Sequence, residues 1–413
     1  MGPRVLIRIA HHVGTPAYVY DAAVIRSRYD RLRAALDDIP HRIHYSVKAN
    51  STLAVLQLLE SLGAGADIVS AGELARAQAA GFAPERVVFS GVGKRPDELA
   101  AAVDAGVGLI NVESAVEVGL LADIAGRAGR RVAVGVRVNP DVTADTHPYT
   151  RTAGRGIKFG VPLDQALAVA LSVHGSPDLT LRSLGVHIGS QVADPAPYAA
   201  AAAALATLVT AVRAEGVETL ESIDLGGGFA VRYQDEGGEL DPERFVEAVR
   251  AAVEGTGLTL LVEPGRSLVA EGGALLTRVL YRKHSGGREI AVVDAGMNDL
   301  MRPSLYGAEH PIEVVSPVDE ADPGTPPAID VVGPLCESGD FLGLGRRLPG
   351  AAPGALLAVR AVGAYGFCMS SHYNSRPRAA EVMVDGDRWA IIRARETVDD
   401  LMRGESVVTA WQS

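Results

Sequence analysis

A chain of 413 residues, 47% hydrophobic and 22% charged, has the balance of a globular protein with room for a large core and a second domain. Its formal net charge of −11 leaves no basic footprint for a phosphate backbone, so nucleic acid is disfavoured and a small-molecule partner is favoured. No uncharged run reaches the roughly 18–20 apolar residues that span a bilayer, and two cysteines argue against a disulfide framework and for a reducing, cytoplasmic setting with no membrane partner.

The opening residues, MGPRVLIRIAHHVGTP, lack the apolar run and cleavage site of a signal peptide. TPAYVYD, from Thr15, has a strand pattern but no βαβ spacing to the next β-branched run, which assigns it to a second domain. From about Arg42 to about Gly265, eight short β-branched runs alternate with alanine- and leucine-rich stretches. The runs are RIHYS at Arg42, GADIVS at Gly65, RVVFS at Arg86, GLINV at Gly108, RVAVGVRV at Arg131, LRSLGVHI at Leu181, SIDLG at Ser222 and TLLVEPG at Thr259. Helices are expected over 51–62, 71–80, 96–105, 114–128 and 242–254, and YAAAAAALATLVTAV, from Tyr198, reads as a helix packed on a core. Eight such units over about 220–250 residues is the arithmetic of an α/β fold of the (β/α)₈ TIM-barrel type, with a doubly wound open sheet as the runner-up. Beyond Gly265, GALLTRVLYRK, EIAVVDAG, ALLAVRAVGAYGF and RAAEVMVDGDRWAIIRARE alternate like strands between Pro and Gly clusters, as in a mostly antiparallel β domain. The expected division is 28–268 for the barrel and 1–27 with 269–413 for the β domain; SPVDEADPGTPPAID reads as a surface loop.

Chemistry in such a barrel sits where strands end at their C-terminal face. Strand one ends in Lys48, strand two carries Asp67, strand six ends in His187, strand seven runs into Gly226, Gly227 and Gly228, and strand eight ends in EPGR, Glu263 to Arg266. Singly, these are a solvated lysine, a satisfied histidine and a glycine turn. Their convergence on one rim gives them chemical weight, and no other lysine is placed at a strand end. Glycines after strand seven and an arginine after strand eight are where barrels hold phosphate. Pyridoxal 5′-phosphate needs such a cradle, a lysine amine, a flat group on its ring and a group opposite its pyridine nitrogen. The glycine run with Arg266, Lys48, His187 and Glu263 supply these in turn.

YSVKAN, GADIVSAGEL, HIGSQ, DLGGGF and EPGR resemble the fold type III pyridoxal phosphate-dependent decarboxylases. DAGMNDLMRPSLYGAEHPI, VVGPLCESGDFL and GAYGFCMSSHYNSRPR resemble the diaminopimelate branch of that family, and the similarity runs from about Thr15 to about Ala410. HPYTRTAGRGIKFG departs from the family pattern, with Ala153 in place of a glycine. The resemblance implies pyridoxal 5′-phosphate bound through Lys48, with His187 stacked on its ring and Glu263 at its pyridine nitrogen. Asp67, Ser190, Gly226, Gly227, Gly228, Gly265, Arg266 and Tyr373 complete the cofactor site.

The resemblance also implies that Cys336 protonates the carbanion left by CO₂, since an unperturbed thiol, with a pKa of about 8.5, carries its proton at neutral pH. In the family this motif reaches the cofactor of the other subunit, which implies a head-to-tail homodimer with shared sites. A distal carboxylate asks for an arginine fork and a hydroxyl, which Arg302 and Tyr306 provide; Glu337 can hold a distal ammonium, with Arg266 and Tyr373 also facing the substrate. Cys368, in a strand-like run without polar neighbours, reads as a buried apolar residue. The expected reaction is decarboxylation of meso-2,6-diaminopimelate to L-lysine, the final step of lysine biosynthesis. A sibling decarboxylase acting on ornithine, lysine, arginine or a secondary-pathway substrate is the alternative. An alanine-racemase-like enzyme would place an arginine where Glu263 stands, and a noncatalytic relative would be expected to lack Lys48 or Cys336. No metal-ligand spacing is found.

Overall fold

The computed structural model describes residues 1–140, 142, 156–233, 238–316, 328–409 and 411. Ala153 and most of SPVDEADPGTPPAID lie outside the described residues.

The chain opens with α1 (Pro3–Val13) and β1 (Ala17–Asp21) and passes directly into α2 (Ala22–Leu36). Next come β2 (His41–Ser46), α3 (Leu53–Ser61), β3 (Gly65–Ile68), α4 (Ala71–Ala79), β4 (Val87–Phe89), α5 (Pro96–Ala105), β5 (Leu109–Val112) and α6 (Ala115–Ala128). The barrel continues through β6 (Val132–Asn139), the short β7 (Val161–Pro162), α7 (Leu163–His174), β8 (Leu179–Val186), α8 (Ala196–Ala214), β9 (Ser222–Asp224), α9 (Pro242–Thr256), β10 (Thr259–Val262) and one-turn α10 (Arg266–Val269). Strands β2, β3, β4, β5, β6, β8, β9 and β10 pair in parallel in that order, and β10 returns to β2 with Val262 opposite Ile43. The sheet therefore closes, and the eight predicted runs are its eight strands. They are short and apolar because a parallel barrel is covered on both faces; β2 buries Ile43, His44, Tyr45 and Ser46, and β5 buries every residue.

Two helices start on matching signals, SAGE and SAVE. In each, the serine Oγ accepts from the glutamate N–H at 3.2 Å, and the glutamate side chain accepts from the N–H ahead of the serine at 2.8 Å, that of Val69 or Glu113. These reciprocal bonds satisfy helix-start donors and hold the βα turns at the barrel's reactive end. Helix α8 is long and apolar enough to cross a membrane by length and composition. Here it packs on α9 and β8, burying Tyr198, Leu205, Val209 and Val212. The Tyr198 ring meets Phe229 and Phe245 edge-on at 5.5 and 5.1 Å, and its hydroxyl donates to the Gly227 carbonyl at 2.9 Å.

The second unit contains β11 (Gly273–Ser285), β12 (Arg288–Val293), α11 (Arg302–Tyr306), β13 (Ile312–Ser316), β14 (Ile329–Val332), β15 (Phe341–Arg346), β16 (Leu356–Arg360), β17 (Ala380–Asp385), β18 (Arg388–Arg393) and α12 (Val398–Leu401). Its sheet runs β15-β14-β12-β11-β1-β17-β18, with β16 also on β11 and β13 on β16. Only β1–β17 and β12–β14 are parallel pairs, so the sheet is mostly antiparallel. TPAYVYD supplies β1 in the interior of this sheet. Helix α1 was not foreseen; its Leu6, Ile9 and Ala10 pack against Val19, Leu276, Leu356 and Val382.

The compact units are Ala22–Glu271, and Met1–Asp21 with Gly272–Ser413. Both limits lie outside the expected 28 and 268. Helix α2 begins immediately after Asp21, and α10 packs on α2 and extends the barrel to Glu271.

Candidate active site

Lys48 stands on a single 3₁₀ turn, Val47–Ala49, just past the end of β2. Its Nζ donates to Asp67 Oδ2 at 3.0 Å. Asp67 is fully buried on β3; Ser46 Oγ lies 2.8 Å from the same oxygen and 2.9 Å from the Glu263 carbonyl, while Asp67 Oδ1 has no hydrogen-bond partner among the described residues.

Glu263 follows β10 and is buried, which pushes its carboxyl well above the usual carboxylate range; Asp224 and Asp67 push it further. Asp224 ends β9. Burial raises it to about 6, restrained by the Gly226 N–H, 2.7 Å from Oδ1, and by a hydrogen bond with Glu263. Two carboxyls this close cannot both ionise cheaply. Glu263 carries the shared proton and Asp224 accepts it.

His187 follows β8, and its Nδ1 lies 3.2 Å from the Gly227 nitrogen as an acceptor of that N–H. Burial first, then Arg137 and Lys48, hold the imidazole well below its usual pKa, so the ring is neutral with its proton on Nε2. The glycine run has no room for side chains. A Cβ on Gly227 would stand 2.0 Å from the Glu263 carbonyl oxygen and one on Gly228 2.1 Å from that of Gly189. Arg266 donates through Nη2 to Ser190 Oγ and through Nη1 to the Tyr233 hydroxyl, both at 2.9 Å. Gly265, ahead of it, passes so close that a Cβ would lie 3.0 Å from those of Ser46 and Ala49.

Lys48, Asn111, Arg137, His187, Asp224 and Glu263 line one cavity of about 380 Å³. The residues fit pyridoxal phosphate. A lysine amine sits on a buried carboxylate with one oxygen unpartnered among the described residues, a side-chain-free glycine run beside Ser190 and Arg266 lets a phosphate approach the backbone closely, and a buried protonated acid can meet a basic ring nitrogen.

Asp224, Arg137 and Lys94 escaped the sequence reading. Arg137 and Asp224 are charges inside apolar strand patterns, RVAVGVRVNP and SIDLGGG, and that mismatch was the available signal. Lys94 is not at a strand end; it lies in the loop after β4 with its side chain fully buried.

Three further motifs converge within the β unit. Asp340 accepts from the Met297 and Leu335 N–H groups at 2.6 and 2.7 Å, Ser304 Oγ donates to the Gly339 carbonyl at 2.5 Å, and the Ser371 N–H donates to the Asn298 carbonyl at 2.9 Å. On this frame the Cys336 N–H donates to Asn374 Oδ1 at 3.0 Å and the Tyr373 hydroxyl to Glu337 Oε2 at 3.4 Å, all on exposed residues. Arg302 and Tyr306 open and close α11. Arg302 is only 5% exposed and donates from Nη1 to His310 Nε2 at 3.0 Å, so it is no surface charge. Cys368 is exposed, against the buried reading; the chain makes a 3₁₀ turn, Phe367–Met369, where a strand was expected.

Residues 22–270 match the family model for the pyridoxal binding domain of pyridoxal-dependent decarboxylases. A diaminopimelate decarboxylase of Pseudomonas aeruginosa is 48% identical over 403 residues, covering 98% of this chain and 95% of the relative. The crystal structure of diaminopimelate decarboxylase from Helicobacter pylori complexed with L-lysine superposes with a TM-score of 0.91 at 39% identity, covering 96% of this chain and 98% of that one. That of M. jannaschii in co-complex with L-lysine also gives 0.91, at 32% identity, covering 98% and 94%.

The acid pair has a pH signature. A carboxyl whose pKa is raised by folding keeps its proton longer in the folded state, so stability is lost as pH rises from the unfolded pKa, about 4, through the folded value. Asp224→Asn keeps an acceptor for the Gly226 N–H and removes the charge. Urea midpoints of the cofactor-free chain at about pH 5 and pH 8 should show the parent losing about 1 kcal/mol more than the variant over that interval. Identical losses would contradict the assignment.

Proposed function

The chain belongs to the pyridoxal-dependent decarboxylases, and we propose that it removes CO₂ from meso-2,6-diaminopimelate to leave L-lysine, the final step of lysine biosynthesis. The observation that carries this is the co-occurrence of the Lys48–Asp67, His187 and Glu263–Asp224 cavity with the Cys336–Glu337–Tyr373 cluster, in a chain alike over 98% of its length to a diaminopimelate decarboxylase. Bound pyridoxal 5′-phosphate supplies the sink for the electron pair left as CO₂ departs.

Lys48 is the attachment amine, and Asp67 holds it by the bond already in place. Ser190, Arg266 and the Gly228 backbone would hold the phosphate, with Tyr373 as a further donor, while the Gly226 and Gly227 N–H groups stay on Asp224 and His187. Gly265 lets the chain pass Ser46 closely enough to aim Arg266. A neutral His187 would lie against the ring without adding a cation beside a group that must draw electrons. Glu263 would stand at the ring nitrogen, where its carboxyl, which holds a proton in the cofactor-free chain, would serve as the carboxylate partner of a protonated nitrogen. Arg302 and Tyr306 take the substrate's distal carboxylate and Glu337 its distal ammonium. Ornithine and lysine lack the distal carboxylate that the Arg302 fork and the Tyr306 hydroxyl would recognise, which disfavours them. Cys336 Sγ delivers the proton that replaces CO₂. It serves the barrel of a second copy, so the working form is a homodimer with two shared sites, in the cytoplasm; both cysteines are free and the acidic chain has no nucleic-acid or membrane partner in this scheme.

Purified protein supplied with pyridoxal phosphate should release CO₂ from meso-diaminopimelate with kcat/KM at least about 100-fold above ornithine, lysine or arginine, a floor below the roughly 10⁴-fold discrimination of a site built to hydrogen-bond its substrate. Equal rates on a diamine precursor would transfer the chain to a sibling activity. Lys48→Ala should abolish both turnover and the borohydride-trapped cofactor, and an adduct persisting on Lys94, Lys158 or Lys283 would overturn the attachment site.

Sharing of the site is separately testable. Lys48→Ala and Cys336→Ala chains, each nearly inactive, should complement when co-expressed. A heterodimer restores one site in two, and random mixing makes about half of all dimers hetero, so up to roughly a quarter of parent activity should return. Verified heterodimers with no gain would place Cys336 in its own chain's service.

A further inference from the structure

Lys94 does not line the cavity, yet it grips two of the segments that do. Its Nζ donates to the carbonyls of Gly91 at 2.7 Å and Asn111 at 2.6 Å and to Glu117 Oε1 at 2.6 Å. An ammonium has three N–H donors, and all three are used. The Lys94 side chain is 0% exposed and that of Glu117 11%. A buried ion pair is weak evidence for stability, because desolvation offsets the attraction, but it does impose one geometry on the groups it ties together.

Two arms lead from it to the cavity. On the first, Asn111, whose carbonyl Lys94 holds, donates from Nδ2 to Ser90 Oγ at 3.1 Å, and Ser90 Oγ lies 3.5 Å from Glu263 Oε1. On the second, the other oxygen of Glu117 accepts the Glu113 N–H at 2.8 Å, Glu113 Oε1 accepts from Arg137 Nη1 at 3.0 Å, and Glu113 Oε2 accepts the Gly160 N–H at 2.9 Å. Arg137 lies over the Phe159 ring at 4.9 Å and is the leading charge holding His187 neutral. Lys94 and Arg137 balance Glu113 and Glu117, so removing either cation leaves unmatched negative charge beside a wall that already holds buried acids.

We propose that Lys94 is a positioning residue for the cofactor site: one buried ammonium sets both the Ser90–Asn111 wall facing Glu263 and the Glu113–Arg137 wall facing His187. The inference deepens the decarboxylase assignment and rests on it.

The test is titration of the cofactor-free chain with pyridoxal 5′-phosphate, with borohydride trapping to confirm attachment at Lys48. Lys94→Met, of similar length and uncharged, should unfold cooperatively yet bind the cofactor roughly tenfold or more weakly, as expected for loss of a group that orients direct ligands. Lys94→Met and Arg137→Gln should also be non-additive on Kd, since both break one arm. A folded Lys94→Met with Kd within about twofold of the parent, or an additive pair, would overturn the proposal and leave a merely structural clamp. Should Lys94→Met fail to fold, Glu117→Gln retains shape and the helix start while removing the ion pair. It should weaken cofactor binding several-fold, and a parent-like Kd overturns the proposal. A parent chain that attaches no cofactor at Lys48 would remove the decarboxylase assignment itself and this inference with it.

Discussion

Everything at the barrel's reactive end depends on how it manages buried negative charge. Asp67, Asp224 and Glu263 are 0%, 3% and 8% exposed, and among the described residues only Asp67 of the three holds an ammonium within hydrogen-bond distance. Carboxyls cannot all ionise in such a place, so Glu263 keeps a proton that Asp224 accepts. A basic ring nitrogen placed beside Glu263 would supply the positive charge that lets this acid ionise. Selectivity for a basic aromatic cofactor follows from electrostatics before any contact is counted. His187 stays neutral for a different reason: burial, and then the Arg137 and Lys48 charges, disfavour a further cation on its ring.

The fold meets this requirement by bringing strand ends together. Parallel strands of a closed barrel all point their C-terminal ends at one face, so Lys48, Asp67, His187, Asp224 and Glu263, far apart in sequence, come to line or border one cavity. The glycines are a second consequence. Where Gly227 passes the Glu263 carbonyl, any side chain would collide with backbone rather than with something that can turn aside. The β unit solves a different problem, tying down the segments that carry its own polar residues: Asp340 and Ser304 anchor the stretches that carry the exposed Cys336 and Glu337 and the helix that carries the buried Arg302 and half-buried Tyr306.

Much of this was legible in the sequence because barrel strands are short apolar runs with a regular spacing, and what terminates each run is a local feature. Lys48, His187, Glu263 and the glycine run could be read that way. Asp224 and Arg137 were passed over because a single charge inside a strand run reads as an interruption until the strand's direction and neighbours are known. Lys94 was missed because a lysine in a Gly-rich loop is ordinarily solvated; its burial comes from a carbonyl on β5 and a carboxylate on α6, partners distant in sequence. Helix α1 begins at a Pro and packs through only three fully buried residues, a weak pattern beside the adjoining strand β1. Cys368 fell to the same limit, since its run alternates like a strand but the backbone turns at Gly366, where a Cβ would meet the Val362 carbonyl at 2.4 Å.

If the buried acid at the ring nitrogen is what drives decarboxylation, its charge must matter more than its shape. Glu263→Gln tests this directly, with cofactor attachment followed by borohydride trapping at Lys48 and turnover by CO₂ release from meso-diaminopimelate. The account predicts a variant that still attaches the cofactor but turns over about 10²–10³-fold more slowly, the scale of removing one preorganised electrostatic group. Attachment with near-parent CO₂ release would contradict it.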